Sequence, residues 1–80
     1  MPRYYFNLKD GPESLDQEGT ELADIGAARK EAVRYCGELL CDGPADSLWV
    51  GDPMKLWVTD APAGKGKTLF TLMFSAVGEP

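Results

Sequence analysis

The sequence predicts an α+β fold, with one α-helix packed on one face of a small, largely antiparallel sheet of three to four strands. Two observations carry this prediction. Apolar and polar residues alternate over 3–9, 54–59 and 68–74, which is typical of strands buried on one face. Between the first two of these segments, residues 25–40 carry apolar side chains at helical spacing. The predicted order of elements is therefore β-(β)-α-β-β.

The first strand is predicted over Arg3–Lys9, and Asp10-Gly11-Pro12 breaks it. Glu13–Asp16 is predicted to return as a short second strand, because Asp-Gly is a common hairpin turn. Gln17-Glu18-Gly19 is predicted to be a turn, and Thr20-Glu21-Leu22 then leads toward the helix.

The helix is predicted to begin after Asp24, because an aspartate side chain caps the first free N–H groups and favours the positive end of the helix dipole. Asp42-Gly43-Pro44 is predicted to end it, since glycine adopts the left-handed conformation and proline cannot continue a helix. One apolar stripe along the helix is predicted to face the core: Ile25, Ala28, Ala32, Cys36 or Tyr35, and Leu39.

After the helix, residues 45–53 are predicted to form a loop that precedes the strands Met54–Thr59 and Thr68–Phe74. Residues 60–67 form the turn between these strands, and residues 75–80 are predicted to be a flexible tail. Eighty residues are too few for a second core, so 1–80 is predicted to be a single domain.

Composition excludes several function classes. The net charge of −5 leaves no excess of lysine and arginine for a phosphate backbone, which argues against nucleic acid as a partner. The chain has no histidine, the commonest general base and zinc ligand. Cys36 and Cys41 lie five residues apart, roughly 140° around a helix, so we expect two unpaired, buried or half-buried thiols in a reducing cytosol.

The first residues lack the apolar run and cleavage site of a signal peptide, and no stretch approaches 18 apolar residues. We therefore expect a cytoplasmic protein that does not enter a membrane.

Several segments together resemble one family. They are Pro2-Arg3-Tyr4-Tyr5-Phe6, Asp10-Gly11, Asp16-Gln17-Glu18-Gly19-Thr20-Glu21-Leu22, Asp24, Ala27-Ala28-Arg29, Glu31-Ala32, Val58-Thr59-Asp60 and Leu69–Phe74. On these residues the chain resembles DUF6894, small bacterial proteins grouped as a domain of unknown function. The resemblance implies this fold and a bacterial, cytoplasmic setting, and it brings no activity, cofactor or catalytic residue. Two features depart from the family pattern: a longer, more basic 60–67 turn, and Gly26 in the helix.

Known site motifs fail on named residues. Gly66-Lys67-Thr68 is similar to the end of a phosphate-binding loop, but Ala61 replaces the first glycine and a strand follows in place of a helix. The acidic segment 10–21 has the length of an EF-hand loop, but Leu15 replaces its glycine and no helix precedes it. Serine and cysteine nucleophiles have no histidine to activate them. We therefore predict no enzyme activity, no cofactor and no metal site.

One surface remains as a candidate. The alternation places Tyr4, Phe6, Leu56, Val58, Phe70 and Leu72 on the face that the helix covers. The opposite face then exposes four apolar side chains, which are predicted to bind a partner: Tyr5, Trp57, Leu69 and Met73. The alternative is that the 45–53 loop, through Leu48 or Trp49, or the C-terminal tail folds over this face.

Three functions follow. The first is a non-enzymatic protein–protein interaction module whose partner is most simply a second copy, giving a homodimer through the open sheet face. The second is an antitoxin-like regulator that binds a small toxin, because the hairpin–turn–helix pattern is similar to that of HicB-type antitoxins; an adjacent toxin-like gene would favour it. The third is a weak single-stranded nucleic-acid binder, since Arg3, Tyr5, Lys9, Lys55 and Trp57 share one predicted face.

Overall fold

A computed structural model of the chain describes residues 1–10, 12–42 and 53–76. Its elements in chain order are β1 (Arg3–Lys9), β2 (Glu13–Ser14), β3 (Thr20–Glu21), α1 (Ile25–Asp42), β4 (Met54–Thr59) and β5 (Thr68–Phe74). This is a small α+β fold with one described helix and an antiparallel open sheet, so the predicted class and order of elements are confirmed.

The sheet is built around β1 and β4. These two strands pair in antiparallel register from Tyr5↔Thr59 to Lys9↔Lys55. β5 pairs with β4, and β2 pairs with β1, which gives the order β2-β1-β4-β5. Each described strand is antiparallel to the strands with which it pairs. Short connections join β1 to β2 and β4 to β5, as antiparallel pairing allows, whereas the helix lies between β1 and β4 in the chain.

The segment between β1 and the helix differs from the prediction. The second strand was expected over Glu13–Asp16, but pairing stops at Ser14. The chain returns to β1 as a short strand of its own, Thr20–Glu21, which pairs with Arg3 and Tyr4 and was expected only to lead toward the helix. The sheet therefore has five strands rather than three or four. The reason is that Asp16 meets β1 through its side chain instead of its backbone.

The helix begins where the sequence predicts. Asp24 Oδ1 accepts the N–H of Ala27 at 2.9 Å, and Asp24 O accepts that of Ala28 at 3.1 Å, so Asp24 is the N-cap. The buried helix residues are Ala28, Ala32 and Cys36, all small, and they belong to the same core cluster as Leu56 and Val58 of β4. On the exposed side Arg34 forms ion pairs with Glu31 and Glu38.

The core lies between this helix and the sheet. Its buried members are Tyr4, Ala28, Ala32, Cys36, Leu56 and Val58. Full burial of a side chain such as Leu56 or Val58 contributes about 1.5–3 kcal/mol. The predicted helix-covered face is thus confirmed, with Phe6, Phe70 and Leu72 half-buried and packed against the core.

Some predictions fall outside the described residues. These are the 45–53 loop apart from Pro53, including Leu48 and Trp49, and residues 77–80 of the predicted tail. The division of the chain into a single domain over 1–80 stays a prediction.

Candidate functional site

The second face of the sheet, opposite the helix, carries the candidate site. Residues paired directly across antiparallel strands point to the same face. Asn7 pairs with Trp57 and Trp57 with Thr71, while Lys9 pairs with Lys55 and Lys55 with Met73. Tyr5 and Thr59 form the next row on the same face. The predicted alternation therefore brings Tyr5, Trp57 and Met73 to this face.

Polar groups cover part of this face. Asn7 and Thr59 are both 0% exposed. The two hydrogens of the Asn7 amide nitrogen are shared among three acceptors, Thr59 Oγ1 at 3.2 Å and the carbonyls of Trp57 at 3.2 Å and Tyr5 at 3.3 Å. The Thr59 hydroxyl in turn donates to Ala61 O at 2.8 Å. A buried amide and hydroxyl are tolerated because these partners satisfy them.

The segment after β2 passes over the Asn7 side chain, and hydrogen bonds from Asp16 hold this segment on β1. The Asp16 N–H donates to Asn7 Oδ1 at 3.0 Å. Its carboxylate accepts the N–H of Phe6 at 3.0 Å through Oδ2, and those of Glu18 and Gly19 at 3.1 and 3.0 Å through Oδ1. Both carboxylate oxygens are thus engaged by the backbone, as in an Asx turn.

These bonds set the ionisation of Asp16. Burial acts to raise the pKa of its carboxyl, but the N–H groups of Gly19, Phe6 and Glu18 and the charge of Arg3 together outweigh burial. The pKa of Asp16 therefore lies below its ordinary value. The group is a structural carboxylate that is held ionised, which is opposite to the raised pKa of a general acid.

Glycine is required at the end of this turn. Gly19 has φ of 73°, and a Cβ added there would lie 2.7 Å from Arg3 Cγ and 2.8 Å from Tyr5 Cε2. The Arg3 guanidinium donates to Glu18 O at 2.8 Å and pairs with Glu21 Oε1 at 3.1 Å. The turn of residues 16–19 is therefore packed tightly over the Tyr5 ring.

The β4–β5 turn meets the same segment from the other side. The N–H of Ala63 donates to Asp16 O at 2.8 Å. A Cβ added at Gly64 would lie 3.3 Å from Leu15 Cδ2 and 3.8 Å from Trp57 Cζ2, so Leu15, Gly64 and one edge of the Trp57 ring lie together. Two described segments, 15–19 and 60–66, thus cover the Tyr5 end of the face.

The other end of the face stays open in the described part of the chain. Lys55 Nζ lies 4.8 Å from the centre of the Trp57 ring, within the range of a cation–π interaction. Met73 is 65% exposed, Trp57 is half-buried and Thr71 is exposed. We call these four residues, Lys55, Trp57, Thr71 and Met73, the Trp57–Met73 patch.

The four predicted partner-binding residues therefore have different surroundings. Trp57 and Met73 lie together in the open patch, whereas Tyr5 lies beneath the 16–19 turn. Leu69 was expected on this face but packs against the helix-side core, because β5 has a register shift next to it: Val58 pairs with Phe70, and Thr59 already pairs with Thr68.

The sequence patterns did not predict the covering groups Asn7 and Asp16. The spacing Asp-x-x-Gly over 16–19 is the signal that could have indicated them.

The acidic residues and the lysine-containing β4–β5 turn were the other groups tested as candidate sites. Among residues 1–10, 12–42 and 53–76, no three aspartate, glutamate or cysteine side chains are grouped closely enough to hold a metal ion. The Lys67 backbone closes the β4–β5 turn, donating its N–H to Asp60 Oδ1 at 2.8 Å and accepting the Asp60 N–H at 3.2 Å.

The two cysteines differ in exposure. Both are free, and Cys36 is buried as expected, with burial raising the pKa of its thiol. Cys41 is exposed, which corrects the expectation that both thiols would be at least half-buried.

The fold and this face define a class of protein: a small α+β domain whose second sheet face is covered at one end by an aspartate-anchored turn. The family described as Domain of unknown function (DUF6894) matches residues 3–75. The chain therefore belongs to this family. No curated protein and no solved structure matches the chain. Within the described residues, no helix is both long and apolar enough to cross a membrane.

Proposed function

We propose that the chain is a non-enzymatic protein–protein interaction module that self-associates through the Trp57–Met73 patch, most simply as a homodimer. The observation that carries the proposal is the 65% exposure of Met73 beside Trp57 on the sheet face opposite the helix. Methionine and aromatic side chains are enriched in protein interfaces, and the half-buried Trp57 ring offers a rigid apolar surface.

The chemistry of the chain supports a non-catalytic role. It has no histidine, and the Asp16 carboxylate, which accepts three backbone N–H groups, uses both oxygens to hold its own turn. The ionised state of Asp16 is stabilised by backbone N–H groups, so this carboxylate is a poor proton donor near neutral pH.

Two features of the same face disfavour the stacking of nucleic-acid bases on Tyr5 and Trp57. Lys55 lies over the Trp57 ring, where a base would stack, and Tyr5 is packed under Gly19. The net charge of −5 also disfavours a phosphate backbone. A protein surface is the better partner for the patch, because it can bury Met73 without displacing Lys55.

Sedimentation equilibrium with a matched pair of variants tests the proposal. Met73→Glu places a charge in the patch, and Val33→Glu places the same charge on the helix at a similar exposure of 62%. We expect the wild-type chain to dimerise at high micromolar concentration, and Met73→Glu to weaken the dimer by about tenfold or more. Val33→Glu should leave it unchanged. A chain that stays monomeric would overturn self-association, and a dimer that tolerates Met73→Glu would place the contact elsewhere.

A further inference from the structure

The two ends of the sheet differ in how they are protected against pairing. β2 ends the sheet with two residues, one of them Glu13. β5 ends it with seven residues, Thr68–Phe74, that include neither a charged residue nor a proline. Among the described strands, none pairs with the outer edge of β5. Soluble proteins usually blunt a long edge strand with charges, proline or a covering segment, so this edge resembles a pairing surface.

The hydrogen bond that closes the β4–β5 turn determines which N–H and C=O groups of β5 point to its outer edge. Asp60, the residue after β4, donates its N–H to Lys67 O at 3.2 Å, on the β5 side. Backbone groups alternate between the two edges of a strand, so Val58 and Leu56 also face β5. Their partners, Phe70 and Leu72, face β4. Thr71 lies between these partners, so its N–H and C=O point outward.

The sequence of β5 is complementary to itself about Thr71. If two β5 strands pair antiparallel with Thr71 opposite Thr71, Phe70 of each strand lies opposite Leu72 of the other. These pairs are apolar and lie on the helix-side face, and the pairing buries no charge of β5. Phe70 and Leu72 are only half-buried in the single chain, so apolar area is left for a partner to cover.

We propose that a second copy of this chain pairs with β5 along its edge, about a two-fold axis at Thr71, and joins the two sheets into one. The two Thr71 residues exchange their N–H and C=O groups across the axis. The inference goes beyond the proposed function: the partner is again a second copy, but the contact lies at the strand edge and does not need the sheet face. The two contacts are distinguished by whether the dimer depends on the backbone N–H of Thr71 or on the side chain of Trp57.

Two variants separate the edge from the face. Thr71→Pro removes an N–H that points outward, so the β4–β5 hydrogen bonds are kept and the fold is retained. Edge pairing predicts that the dimer is lost in Thr71→Pro, with the mass falling by half, and is kept in Trp57→Glu. The opposite result overturns edge pairing and leaves the sheet-face contact standing. A monomeric wild-type chain overturns both.

A charge exchange at the axis tests the register and does not depend on proline being tolerated. Thr71 is exposed in the single chain, so Thr71→Lys and Thr71→Glu should fold normally. Each variant alone places like charges directly opposite each other and should be monomeric, whereas an equimolar mixture should form a heterodimer, because lysine then faces glutamate. Native mass spectrometry reads out the mixture. If the mixture stays monomeric, or if either variant alone dimerises like the wild type, the proposed pairing is wrong. The charge exchange also decides the case in which Thr71→Pro and Trp57→Glu both lose the dimer.

Discussion

The Asp16 carboxylate accepts the backbone N–H of Phe6 at 3.0 Å, at the point on β1 that lies between its pairings with β2 and β3. A side chain thus takes the place of a strand partner for one residue. This substitution lets the chain leave the sheet edge after Ser14, cross Asn7 and return at Thr20. The part of the cover formed by residues 15–19 is therefore held on the sheet by this carboxylate.

Asp16→Asn should destabilise the fold by about 2–3 kcal/mol. An amide keeps only one acceptor oxygen, whereas the carboxylate accepts three N–H groups, from Phe6, Glu18 and Gly19. The amide nitrogen would face at least one of these donors. Urea denaturation of the variant and the wild type at neutral pH measures the difference. An exposed carboxylate of the same turn provides the control, and Glu18→Gln should change the stability little.

The same carboxylate gives the wild type a defined dependence on pH. Folding lowers the pKa of Asp16. Between the folded-state and unfolded-state pKa values, the unfolded chain therefore binds more protons than the folded one. The contribution of Asp16 is therefore complete above the unfolded-state pKa and is lost as the pH falls through the folded-state pKa. The stability difference between wild type and Asp16→Asn should narrow on acidification. A difference that stays constant down to low pH would contradict this role.

Two glycine-to-alanine variants should have effects of opposite sign. At Gly19 the positive φ and the close approach of Arg3 and Tyr5 predict a loss of about 2 kcal/mol or more. At Gly37, on the exposed side of the helix, a Cβ meets nothing within 4 Å, and alanine should stabilise the fold by about 0.5–1 kcal/mol. Thermal unfolding followed by circular dichroism compares them. Equal effects at both sites would mean that the 16–19 turn is not packed on the sheet.

The regular elements could be predicted because each has a repeating pattern. Alternation gave Arg3–Lys9, Met54–Thr59 and Thr68–Phe74 with the bounds that the structure has. The helix starts at Ile25 as predicted, and it continues two residues past Leu40. In a long regular element the spacing of apolar residues follows which side chains are buried, so a single sequence is sufficient to detect the element.

The candidate site was harder to predict, because its cover has no period. Asn7 lies at a polar position of an alternating strand, where solvent is the natural expectation, yet it is 0% exposed. Its burial depends on Asp16, nine residues away, and on Thr59, fifty-two residues away. Leu69 was misplaced for a related reason: the register shift in β5 changes its face without changing the sequence pattern.

The cap of the helix provides a test that is independent of the sheet. Asp24→Ala removes the acceptor of the Ala27 N–H and should cost about 1 kcal/mol. Asp24→Ser keeps an acceptor at the same place and should recover most of this loss. Chemical denaturation of the three proteins measures the effect. If serine and alanine have equal effects, the hydrogen bond to Ala27 does not contribute to stability.

The two cysteines should react at very different rates in the folded protein. Cys41 is exposed, whereas Cys36 is packed among the core residues and burial raises the pKa of its thiol, which lowers its thiolate fraction. Iodoacetamide at mildly alkaline pH should therefore add one label to the native chain, at Cys41, and two labels in denaturant. Peptide mass spectrometry locates the label, and Cys41→Ser should leave the native chain unlabelled over the same time. Rapid native labelling of Cys36 would contradict the packing of the helix against Leu56 and Val58.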